Sequence, residues 1–200
     1  MRRGLFVGAA LAVALASMGT ARARNFDFLF RGTFSVTGTQ TCLNTIGGFN
    51  ADLTPNAFSF IVTISSIGTA VVNGDGTGSQ TNRDVAVTFP PLASGSSDTA
   101  SFNFTYHVAA DRTVTAQNDG PITGTELTGV LAGQTFTIPL GAPSTGRLSE
   151  DGRSLTSGAT EAVVQTIAFS GGLTEQRICT LSIVATKVEE DIDHDAASER

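Results

Sequence analysis

Ser101-Phe102-Asn103-Phe104-Thr105-Tyr106-His107-Val108 is the stretch on which the reading of this chain turns. From Phe102 to Val108 its even positions are large and apolar, while the odd positions are polar. A pleated strand sends successive side chains to opposite faces, so the segment is a strand with one buried side and one wet or lumen-facing side. Phe58, Phe60, Val62 and Ile64 repeat the pattern, with Ile61 adding apolar surface to the other face. Val85, Val87 and Phe89 repeat it again before Pro90-Pro91 ends the run. Further strands are predicted around residues 26–39, 69–73, 113–117, 124–131, 135–138, 162–169 and 177–188.

Between these runs lies turn chemistry. Asn73-Gly74, Asp75-Gly76, Asp119-Gly120 and Asp151-Gly152 are pairs that tolerate positive φ in tight hairpins. Residues 146–149 and 154–157, flanking Glu150-Asp151-Gly152-Arg153, read as a short hairpin. Past residue 23 no stretch carries a 3.6-residue apolar period, and the composition favours Gly, Thr, Ser, Val and Phe over helix formers. The fold class expected is all-β: a single antiparallel up-and-down β-barrel, with a β-sandwich as the alternative. A long last strand able to pair with the first would remove both open edges, which favours the barrel.

Residues 1–23 read as a signal peptide: Arg2-Arg3, an apolar run from Leu5 to Met18, then Ala21-Arg22-Ala23 with small residues where a signal peptidase cuts. The run is short for a bilayer span, and the wider twin-arginine motif is missing, so the general secretory route is expected. The domain plan is then a signal peptide (1–23), a β-barrel domain (24–188) and an acidic disordered tail (189–200), in a periplasmic or extracellular protein with no membrane span in the mature chain. Removing the leader leaves nine basic against eighteen acidic residues. Six of the acids fall in the last twelve positions. No basic stripe or aromatic–Arg platform appears, which argues against nucleic acid as a partner.

Cys42 and Cys179, 137 positions apart, are an even pair in an oxidising compartment and are expected to form one disulfide tying the first strand region to the last. Neither has a CxxC neighbour or a nearby His, so redox and zinc roles are weak. No cysteine follows the leader to carry a bacterial lipid anchor.

Gly32-Thr33-Phe34, in the first strand region, resembles the Gly-x-Trp of calycin barrels such as lipocalins and avidins, with Phe in place of Trp. The wider layout is similar to small exported bacterial barrels of calycin or allene-oxide-cyclase-like type. It shares an early Phe-rich strand, the turn over residues 73–78, a polar turn at Asp111 after Tyr106, and a late Arg177-x-Cys179 strand. The resemblance implies a barrel with an aromatic ring plugging one end; it carries no catalytic motif.

Candidate chemistry is sparse. The loop Asn73-Gly74-Asp75-Gly76-Thr77-Gly78 alternates oxygens with glycine, but only Asp75 and Asp84 supply nearby carboxylates where calcium wants six to eight oxygens. A glycine-rich hairpin accounts for it better, and no metal or other cofactor is expected. His107 falls on the polar strand face beside Asn103 and Thr105, without a nucleophile elbow or a Ser–His–Asp order; His194 lies in the acidic tail. Glu126, Glu161 and Glu175 lie in or beside strands and could face a lumen as paired carboxylates. The thirteen phenylalanines fill a core or line a ligand cavity. The functional expectation is a non-enzymatic secreted barrel that binds a small apolar ligand or serves a structural role. Two alternatives stand beside it: a pilin-like assembly subunit, and a barrel enzyme analogous to allene oxide cyclase using His107, Tyr106 or Glu161.

Overall fold

The computed structural model describes residues 25–89 and 94–188. The expected signal peptide, Pro90-Pro91 and the acidic tail lie outside them. A 3-10 turn over Asp27–Leu29 leads into β1 (Arg31–Thr45), β2 (Ser59–Asn73), β3 (Thr77–Thr88), β4 (Ser94–Val108) and β5 (Thr113–Thr128), each antiparallel to the one before. The short strands β6 (Thr135–Ile138), β7 (Ser144–Leu148), β8 (Ser154–Ala159) and β9 (Gln165–Phe169) precede a long β10 (Thr174–Lys187). β10 pairs with β1 from Phe34↔Lys187 to Thr45↔Gln176, so the sheet closes on itself. The barrel is therefore what forms.

The four short strands form two pairs that share one sector of the wall. Towards one end β5 pairs with β7, β7 with β8 and β8 with β10. Towards the other end β5 pairs with β6, β6 with β9 and β9 with β10. Eight strands thus complete the ring at each end, the size at which an interior holds packed side chains or one small ligand.

Three sequence expectations are corrected. Residues 27–29 are a 3-10 turn and not part of the first strand. Asp119-Gly120 is no hairpin: β5 runs through it, and the register slips between Ser101↔Thr123 and Asn103↔Asp119. Gly120, at φ 88°, takes up the extra residues as a bulge. Third, the apolar face of β3 points outward. Val85, Val87 and Phe89 are 52%, 47% and 48% exposed, while the inner face of that strand carries Gln80, Asn82, Asp84 and Ala86. β3 is held in register by β2 on one side and β4 on the other, and a slip of one residue would break both ladders.

The core divides in two. At the end carrying the 3-10 turn, Phe34 is fully buried and packs on Phe30 with ring centroids 4.8 Å apart; Val36, Val72, Phe104, Tyr106, Val108, Val114, Leu148 and Leu155 complete that cluster. Phe34 thus plugs that end of the barrel. At the other end two smaller clusters form, Ala100, Phe136, Ile138, Ile167 and Phe169 facing Cys42, Val62 and Ile64. Gly124 is required there, because a Cβ at that position would meet the Phe136 ring at 2.3 Å.

Cys42 and Cys179 face each other across the closing seam, with Cα atoms 4.0 Å apart, and are disulfide-bonded. On the chain-entropy account, a loop spanning 137 positions gives a bridge worth up to about 5 kcal/mol. Reduction, or the Cys42→Ala/Cys179→Ala double variant, is expected to lower stability by roughly 2–5 kcal/mol, read from urea midpoints; an unchanged midpoint would mean that β1–β10 closure does not depend on the bridge.

Candidate lumen site

The inward parity of the closed sheet brings ionisable groups into the barrel. Asp84 on β3 lies directly across from Asp98 on β4, and Asp98 across from Glu126 on β5. All three line the interior. Like charges directly opposite one another on a sheet face are destabilising, so the row costs the fold stability. From the far wall β10 adds Glu175 and Arg177, β9 adds Gln165 and β1 adds Asn44. The Arg177 Nε–H donates to Gln165 Oε1 at 2.9 Å, and the Asn44 amide donates to Glu175 Oε1.

Burial is the main influence on every member. It pushes the Asp98 carboxyl up to about 7, reinforced by Asp84 and Glu126 and opposed by Arg177. Asp84 is raised by burial against the pull of Ser66 and Arg177. Glu126 is raised by burial and then by Glu175, and Glu175 by burial against Asn44 and Arg177. Burial also lowers the Arg177 guanidinium, which the charges of Glu175, Asp98 and Asp84 partly restore. Perturbed groups converging in a cavity, whose desolvation the fold bears, make this cluster the candidate functional site.

Two cavities meet at this cluster. One, of about 340 Å³, is walled by Phe60, Val62, Ile64, Ile167 and Phe169 together with Asn44, Asp98, Glu126, Glu175 and Arg177. A smaller one of about 100 Å³ shares Asp98, Glu126 and Arg177 and reaches Asp84, Phe136 and Ile138. A third pocket, about 120 Å³ and mainly apolar, lies in the plugged half against Phe102, Phe104 and Ile183. A further depression, about 760 Å³, lies outside the barrel on rows of hydroxyls such as Thr69, Thr81, Ser101, Thr123 and Thr137.

The residues singled out from sequence separate cleanly. Glu126 and Glu175 do meet in the lumen, whereas Glu161 is exposed in the β8–β9 connection. His107 is 57% exposed and its Nδ1 lies 3.3 Å from Asp27 Oδ1. Tyr106 is committed to the plug: its hydroxyl donates to the Phe30 carbonyl at 2.8 Å and accepts from Gly74 N–H at 3.0 Å. His107, Tyr106 and Glu161 therefore form no common site. Asp75 accepts from the Thr77 amide and hydroxyl in an exposed turn, while Asp84 sits on the barrel's inner face, so the 73–78 loop is the glycine-rich hairpin it reads as. Sequence reasoning missed Asp98, Arg177, Asn44 and Gln165. Extending the even parity of Phe102 back along the strand would have put Asp98 inside.

Compared with protein-family models, curated proteins and solved structures, the chain gives no match. Among the described residues no helix is long and apolar enough to cross a membrane.

The Asp98 shift has a stability consequence. The folded chain holds that proton up to about pH 7, whereas the unfolded chain releases it near 3.8. The associated stability is fully present below the unfolded value and is lost as pH rises through the folded one. Exposed Asp52, Asp75, Asp111 and Asp151 are lowered by hydrogen bonds to nearby Thr, Ser and backbone groups, so their effect is felt only at still more acid pH. Asp98→Asn is expected to stabilise the protein at pH 8 by on the order of 1–3 kcal/mol and to flatten its decline between pH 5 and 8. Urea titrations at both pH values check this; equal slopes in the two proteins would place Asp98 in contact with water.

Proposed function

We propose that this chain is a non-enzymatic, exported barrel of calycin-like kind that binds a small ligand in its lumen. The observation that carries the reading is the 340 Å³ cavity, which lies within the range of small-molecule sites and combines apolar walls with a few converging polar groups. A scaffold with a purely structural role would gain stability by filling that space with hydrocarbon. Instead the fold keeps desolvated carboxylates there, at a cost in stability.

The Cys42–Cys179 bridge belongs in an oxidising compartment, and on this reading that compartment is the periplasm or the extracellular space. The outward strand positions favour this setting too, since many of them, such as Thr37, Thr39, Thr63, Thr81 and Thr99, carry hydroxyls where a lipid-facing barrel presents an apolar band. The closed ring favours this reading over the pilin-like alternative, because β1 is paired on both sides and offers no edge for a donor strand.

The neutral dye prodan tests occupancy. It is expected to bind with a blue-shifted emission, and Ala86→Phe, which narrows the cavity from β3, is expected to weaken binding about tenfold or more. Failure of wild type to bind, or indifference to Ala86→Phe with the fold intact by circular dichroism, would overturn the lumen as the ligand site.

A further inference from the structure

The lumen's unmet hydrogen-bonding capacity says what kind of ligand it takes. Asn44 Oδ1, Asp98 Oδ1 and Glu126 Oε2 are buried without a hydrogen-bond partner, while Asp84 Oδ1 is buried opposite the Ser66 hydroxyl on β2. Each is an acceptor, the carboxyl oxygens in their ionised forms. Asp98 is 9% exposed and lines both cavities of the cluster; Asn44 is 4% exposed, lines the larger one, and donates from its amide nitrogen to Glu175. Among the described residues lining the cluster the cation is Arg177, whose Nε–H goes to Gln165 while its charge acts on Glu175, Asp98 and Asp84. Four carboxyl groups, Asp84, Asp98, Glu126 and Glu175, thus line the lumen with one guanidinium, and the acceptors of Asn44, Asp98 and Glu126 go unanswered.

A further donor-rich positive charge, beyond Arg177, would match these groups. Leaving buried acceptors unpaired is costly, and more so for ionised groups, so a group supplying N–H donors and a charge would regain much of that on entry. The rest of the wall, Phe60, Ile64, Phe136, Ile167 and Phe169, suits a hydrocarbon body. We infer that the lumen binds a small organic cation, an amine or amidine carried on a compact apolar body, with Asp98 and Glu126 facing the charge and the aromatic and aliphatic walls facing the body. This rests on the lumen being the ligand site and narrows the expected apolar ligand to an amphipathic one.

Binding also acquires a pH dependence. Asp98 on β4 is faced by Asp84 on β3, Glu126 on β5, and Glu175 and Arg177 across the lumen on β10. A cation is accommodated when the carboxyls have given up protons, so affinity falls as the medium is acidified below neutrality.

Three probes of similar size separate charge from shape: 2-phenylethylamine, 2-phenylethanol and 3-phenylpropanoate, titrated calorimetrically into the full-length oxidised chain at pH 8. The amine is expected to bind about tenfold or more tighter than the alcohol, and the carboxylate more weakly than either. Asp98→Asn, and separately Glu126→Gln, are expected to remove most of the amine's advantage over the alcohol. At pH 5.5 the amine's advantage over the alcohol shrinks. Equal binding of amine and alcohol, or full amine selectivity in both variants, overturns recognition by charge while prodan binding still upholds the lumen as the site. If no probe binds and prodan does not bind either, the lumen reading fails and this inference fails with it.

Discussion

Closure of the sheet by β1 against β10 is the constraint on which everything else depends. Twelve residue pairs along that seam fix the register of the last strand to the first, and the ladders from β1 to β5 carry the same parity round the wall. In a closed cylinder a strand residue points either in or out. Once the seam is set, the even positions of β1 to β4 and the odd positions of β10 face the interior, whatever their chemistry. The disulfide sits on one of those interior pairs.

That parity produces a division of labour inside the barrel. The half beside the 3-10 turn is filled by Phe30, Phe34, Phe104 and Tyr106 and behaves as a conventional core. Asp27 ties it off, its Oδ1 accepting the Val108 N–H at 2.6 Å. The other half receives Asp84, Asp98, Glu126, Glu175 and Arg177, and there hydrophobic packing gives way to groups that are costly to desolvate. A plugged, rigid half can hold the shape of a lumen that its own contents would otherwise destabilise. In that sense the stability of the plug, of the seam and of the site are linked.

Much of the fold was legible in residue pattern. Alternation in Ser101–Val108 marked a strand because a half-buried pleat leaves a period of two in the chain; Asn73-Gly74 and Asp151-Gly152 marked hairpins because few residue types accept positive φ. The two cysteines indicated which strands meet. Asp119-Gly120 was misread because a bulge and a hairpin ask for the same local chemistry, and only the continuing β4–β5 ladder distinguishes them. Val85 and Val87 misled for a deeper reason. Apolar alternation identifies two faces but not which of them is inside, and on β3 the polar face won because its neighbours fix the register.

The chain alone determined an all-β architecture, its turns and its covalent closure, because these follow from local propensity, φ preferences and cysteine count. Tertiary structure decided the site. Asp84, Asp98 and Glu126 are widely spaced in sequence and share no motif; they become one desolvated row only because three antiparallel strands stack them in register. Their raised proton affinities, and the unanswered acceptors of Asp98 and Glu126, arise from burial and mutual proximity, which belong to the closed cylinder and to no segment of the sequence taken singly.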